Sequence, residues 1–216
     1  MQTYSTIVKF FQEGGFFMYP IALIMAVGIA VAAERWLYLT RVLRGNRKMW
    51  DQLIPTLQGG KYQQAISMTA KSDVAISRIL NYGLSRLKSA RHREDIEIAM
   101  EEGLMEIIPR LERRTHYLSA FANIATLLGL LGTIIGLIQA FTAVAHAAAA
   151  EKAELLSSSI SVAMNTTAFG LIVAIPLLLV YSVLQSKTTQ IVDSMEMASV
   201  KFLNMVTERP QGEGKF

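Results

Sequence analysis

The sequence predicts an all-α integral membrane protein with three transmembrane helices, the second and third long and extending into a cytoplasmic helical domain. Two observations carry this expectation. The 216 residues include three long stretches free of Asp, Glu, Lys and Arg: Gly14 to Ala33, Tyr117 to Ala150 and Leu155 to Ser186. A helix needs about 20 predominantly apolar residues to cross a bilayer core. A Lys, Arg or Asp at its centre costs roughly 2.5–3.5 kcal/mol on insertion scales. Helices on the surface of a soluble bundle keep a polar face, and these three stretches have none. The second observation is the placing of charge. Most of the 21 basic residues lie between Arg35 and Arg114, whereas the segment before the first stretch holds only Lys9 and the loop between the others only Lys152. Basic residues collect on the cytoplasmic side of a membrane, so Arg35 to Arg114 belongs inside and the N-terminus and the loop around Glu151 outside. The tail from Lys187 is then cytoplasmic, in accord with Lys187, Lys201 and Arg209.

Composition narrows the function class. The chain is 52% hydrophobic with a mean hydropathy of +0.34. Its pI of about 9.4 would suit a nucleic-acid binder, but the asymmetry of the basic residues is that of a membrane protein facing lipid. Without cysteine there is neither a disulfide nor a thiolate metal site. No phosphate-binding loop, nucleophile with its base, or metal cluster is legible, so neither enzyme activity nor a cofactor is expected.

Taken in order, residues 1–13 read as a periplasmic amphipathic segment rather than a cleavable signal, with Ile7, Phe10 and Phe11 turned to lipid. The first transmembrane helix occupies 14–40, with Pro20 in its first turn, where a missing N–H costs little. Arg35, Trp36 and Tyr38 close it as an interfacial anchor. Residues 41–115 form a cytoplasmic helical domain. Gly59-Gly60 breaks it, Lys61 to Ala70 is a short helix, and Ile76, Ile79, Leu80, Leu84 and Leu87 recur at helical spacing. Glu94 to Leu111 is acidic early and basic late, which suits the helix dipole, and Pro109 is expected to kink or interrupt it. The second transmembrane helix with its cytoplasmic extension covers 116–148, a periplasmic loop 149–156, the third transmembrane helix 157–187 and a cytoplasmic helical tail 188–216. At ~1.5 Å per residue, the two later spans outrun a ~30 Å core.

Two stripes of small residues mark these spans. On the second, Thr126, Gly129, Thr133, Gly136 and Ala140 recur at steps of three and four, and Gly132 with Gly136 makes a GxxxG. On the third, the stripe is Ser159, Ala163, Thr167, Gly170 and Ala174, with Asn165 and Thr166 beside it and Pro176 following. Small residues let helix backbones approach closely in lipid. That reading gives Gly129, Gly132, Gly136, Gly170 and Pro176 a role in helix packing. A membrane threonine often only satisfies its own backbone. Two neighbouring hydroxyls and an amide at bilayer depth instead tend to face protein or water. No span carries a carboxylate or base in its central part, and His146 reads as interfacial. Any ion that crosses therefore needs a charge from another polypeptide.

Leu127 to Gly136 reads LLGLLGTIIG, Asn165 to Leu171 reads NTTAFGL, and Ala174-Ile175-Pro176 follows. In these blocks, and in the order of its segments, the chain resembles the MotA/TolQ/ExbB proton channel family, nearest its ExbB-like branch. The resemblance implies a homopentameric pore lined by the second and third helices in a bacterial inner membrane. It also implies a dimeric single-span partner of the ExbD/TolR kind inside the pore, an aspartate on each partner helix, and a TonB-like protein as a further partner. The family's pore threonines fall on Thr133 and Thr167, and Thr166 and Asn165 are expected to join them in the ion pathway. Where proton-driven members usually carry a glutamate, this chain has Val162, and Thr166 stands where an alanine is common. The paired Thr166-Thr167 resembles sodium-driven stators. H+ is the expected ion on its frequency in the family, with Na+ as the alternative. A non-conducting scaffold for the single-span partner is the competing function.

Overall fold

A computed structural model describes residues 15–87 and 89–207. The amphipathic segment expected over 1–13 and the end of the tail lie outside the described residues. Among the described residues six helices follow in order: α1 Met18–Gln58, α2 Tyr62–Ala70, α3 Ala75–Arg86, α4 Arg93–Glu112, α5 Thr115–His146 and α6 Lys152–Thr207. No strand occurs among the described residues. Among the described residues three helical runs, Met18–Gln58, Arg93–His146 and Lys152–Thr207, are long and apolar enough to cross a membrane.

Helix ends follow local chemistry. Gly60 takes φ +71° after α1, a conformation that glycine adopts without a Cβ penalty. Pro109 does not interrupt α4, contrary to the sequence expectation; the helix runs on to Glu112. Pro109 lies on an exposed face, where solvent can take the carbonyl left without its partner. The break comes at Arg114, at φ +67°, before α5 begins. Nor does α1 stop at the expected bilayer boundary near residue 40. It continues through 41–58, where Leu53 and Leu57 are buried. The tail likewise extends the third span without a joint, giving α6 56 residues in one helix.

The chain divides into two compact units: residues up to Arg35 with Arg114–Val183, and Trp36–Arg113 with the residues from Leu184 onward. In the first unit, the start of α1 joins α5 and the first part of α6. Its core contains Met18, Ile21, Leu118, Ala122, Ala125, Phe169, Val173 and Leu177. Gly28 lies so close to Leu177 that an added Cβ would be 2.8 Å from its Cδ2. Large apolar side chains nevertheless stay outside, among them Leu23, Leu127, Ile138, Phe141, Ile172 and Leu179. A water-soluble domain rarely exposes so much contiguous apolar surface; a lipid-facing one requires it.

The second unit is a helical cluster around Ile79, Leu80, Leu84, Met100, Ile191, Met195 and Phe202. The buried Asn46 on α1 accepts a hydrogen bond at its Oδ1 from the Ile76 N–H (3.1 Å), so α1 caps the start of α3. At the start of α4, Asp95 accepts the N–H groups of Arg91 and His92 at 2.8 and 3.0 Å. The hydrogen bonds from His92 and then Arg91 hold its carboxyl below the usual carboxylate range. Glu106 accepts from the Tyr82 hydroxyl (3.1 Å) and from Arg110 (2.6 Å). The bond to that carboxylate raises the Tyr82 phenol above its ordinary value. Lys187 donates to Thr40 Oγ1 (2.6 Å) and sits 4.3 Å from the centre of the Trp36 ring.

Candidate ion pathway

The small residues of α5 and α6 meet within the first unit. An added Cβ at Gly129 would be 3.2 Å from the Thr167 Cα and 3.4 Å from the Gly170 Cα; at Gly170 it would lie 2.7 Å from the Ala125 carbonyl oxygen. At Gly136 it would be 2.9 Å from the Ala163 Cβ, and at Gly132 2.5 Å from the Thr166 Cγ2. Two helices approach this closely only where side chains are absent or tiny. Ala125, Gly129, Gly132 and Gly136 therefore line the seam on α5, opposite Ala163, Thr166, Thr167 and Gly170 on α6. Pro176 lies outside this seam, on an exposed face of α6 in the single chain.

This seam fixes the threonines. Thr167 donates across it to the Gly129 carbonyl at 2.8 Å. Thr166 is buried, donates to the Val162 carbonyl of its own helix at 3.0 Å, and turns its methyl to Gly132. Thr133 donates to Leu130 at 2.6 Å within α5 and lies beside the seam rather than in it. Asn165 is half-buried. A hydroxyl has one proton to give and two lone pairs. With their protons given to backbone carbonyls, the half-buried Thr133 and Thr167 meet an incoming group as acceptors, whereas Thr166 is buried in the seam.

The residues just ahead of α1 also reach this level, which the sequence pattern did not foretell. An added Cβ at Gly132 would lie 3.5 Å from the Phe17 Cβ, and one at Gly15 3.4 Å from the Val162 Cγ1. The available signal was weak: Gly15 stands at φ +73°, just ahead of a span whose register against the others no periodicity reveals.

The model of the MotA/TolQ/ExbB proton channel family matches residues 71–197, which include α3 to α5, much of α6, and Thr133, Asn165, Thr166 and Thr167. The chain belongs to the MotA/TolQ/ExbB family. Within that family it lies near ExbB. An ExbB homolog, described as a biopolymer transport protein, from Methanothermobacter thermautotrophicus is 29% identical over 196 residues, 90% of this chain and 68% of its own length. An ExbB-like protein of Synechocystis sp. is 33% identical over 188 residues, 85% of this chain and 72% of its own length. The structure of C. jejuni MotAB shares the fold, with a TM-score of 0.62 over 95% of this chain and 86% of that one at 17% identity. The chain is thus a multi-pass membrane protein from a family of ion-channel subunits.

Proposed function

We propose that the chain is the channel-forming subunit of a motor in the bacterial inner membrane, coupling proton flow to work in the cell envelope such as TonB-dependent transport. Five copies enclose two helices of an ExbD/TolR-like partner, whose aspartates carry the ion past Thr133, Thr166, Thr167 and Asn165. The N-terminus faces the periplasm and the C-terminus the cytoplasm. One observation carries this reading: Thr167 in the α5–α6 seam and Thr133 beside it are half-buried hydroxyls whose protons are already given to backbone carbonyls, in a region where the chain has no carboxylate of its own. Such oxygens accept the O–H of a protonated carboxyl or ligate a hard cation, but offer no proton to a bare carboxylate. The partner's acid would therefore cross this level neutralised, by a proton or, in the alternative, by sodium. Each charge crossing 100 mV releases ~2.3 kcal/mol.

The same hydrogen bonds favour a second reading, a non-conducting scaffold, because a threonine tied to a backbone carbonyl already has a structural task. Thr133→Val separates the two. Its hydroxyl bonds only within α5, so assembly with the partner should survive. A channel subunit should then lose about tenfold of its coupled activity, the upper weight of one lost neutral hydrogen bond. Unchanged activity would support the scaffold. Thr167→Ser keeps the bond to Gly129 and should keep activity in either case. Replacing sodium by potassium at fixed pH reads out the ion, and unchanged wild-type activity would exclude sodium.

A further inference from the structure

A cleft of about 430 Å³ opens in the second unit between α1, the start of α3 and the end of α4. Three guanidiniums line it, Arg41, Arg78 and Arg110, together with the Tyr38 side chain; Val42, Val74 and Ile107 supply apolar wall. Its acidic counterweight is partial. Arg78 pairs with Asp73 at 3.0 Å, and Glu106 lies 3.7 Å from Arg78 and 2.6 Å from Arg110. Arg41 makes no ion pair among the described residues. Three guanidiniums against two carboxylates leave one positive charge in excess. A guanidinium has five N–H donors, so Arg78 and Arg110 keep capacity beyond their present partners.

We infer that this cleft holds the phosphate of an anionic phospholipid, whose glycerol and upper chain rest on the apolar wall. The place on α1 supports a lipid source. Trp36, beneath the Lys187 ammonium, is an interfacial pair of the usual kind. Arg41 lies five residues further along the helix, ~7.5 Å at ordinary rise and about the thickness of a headgroup layer. Arginine forks match phosphate oxygens bidentately, and basic pockets on the cytoplasmic side are known receptors for anionic headgroups. A small soluble phosphate would find the arginines but leave the apolar wall wet. The site is independent of the ion pathway proposed above.

The full chain in detergent, titrated with POPG or with POPC, tests the assignment through its unfolding midpoint and through lipid adducts in native mass spectrometry. POPG should raise the midpoint saturably and remain bound, and POPC should not. Arg41→Gln should raise the half-saturating POPG level about fivefold, the weight of one basic residue near an anionic surface. Gly45→Leu keeps α1 helical and has ordinary room at Cβ, 3.6 Å from a Val74 methyl. Its longer side chain enters the cleft and should abolish POPG adducts. The exposed Lys48 lies outside the lining, so Lys48→Gln should leave binding unchanged. The inference is overturned if POPG acts no better than POPC, if Lys48→Gln weakens binding as much as Arg41→Gln, or if inorganic phosphate in POPC reproduces the whole POPG shift.

Discussion

Gly132 and Gly170 meet their neighbours differently, and the difference predicts how each tolerates alanine. At Gly170 the added Cβ runs into the Ala125 carbonyl oxygen at 2.7 Å, a backbone atom that moves only if α5 moves. At Gly132 it meets the methyl of Thr166, a side chain that can rotate at the cost of its bond to Val162. Overpacking of this kind costs typically 1–3 kcal/mol. Gly170→Ala should therefore sit near the upper end of that range and Gly132→Ala near the lower, read from denaturant unfolding in detergent. The reverse order would mean that the seam opens at Thr166 rather than at the backbone. Gly132→Leu should separate α5 from α6 within one chain, before any contact between copies is at issue. The small-residue character of both helices was legible in the sequence. Which side of α5 faces α6 was not: the lines through Thr126 and Thr133 and through Ala125 and Gly132 share Gly129 and Gly136. The period alone admits both, and only the position of the neighbouring helix selects one.

Among the elements, α3 begins without a capping side chain of its own, since Val74 precedes it in extended conformation. The buried Ile76 amide in its first turn is instead satisfied from α1, by Asn46 thirty positions earlier. Asn46→Ala should leave the buried Ile76 N–H without a partner and cost about 1–2 kcal/mol. Asn46→Asp, which retains the acceptor, should cost less. Equal unfolding midpoints for the wild type and Asn46→Ala would show that the cap is dispensable. No local reading reveals such a bond, because cap rules look one turn ahead and not across a fold. Element boundaries divide along the same line. Gly59-Gly60 ended α1 as glycine chemistry dictates, whereas Pro109 stayed inside α4 because its exposed position tolerates a missing hydrogen bond. The expected limit of the first span near residue 40 follows the interfacial anchor of Arg35, Trp36 and Tyr38. A helix has no reason to end there.

At the scale of the whole chain, charge asymmetry predicts the sidedness, and the absence of cysteine makes it simple to test. A cysteine placed at Glu151 should react with a membrane-impermeant maleimide in cells whose outer membrane is permeabilised. One placed at the exposed Ser89 should react only after lysis. Labelling of Ser89 in intact spheroplasts would reverse the orientation. The division into two units has another consequence, one of timing. Each unit is assembled from segments far apart in sequence, and α6 contributes to both. During synthesis Gly28 must wait for Leu177, about 150 residues later, or roughly 7–30 s at translation rates of 5–20 residues per second. Gly83 waits likewise for Phe202, whose ring closes over it. A nascent chain arrested before α6 therefore has neither core complete. Quality-control proteases should meet every product truncated before α6 as a set of unpaired helices, and a stop codon as late as Met195, which removes Met195 and Phe202 from the second core, should lower the amount of protein in the membrane.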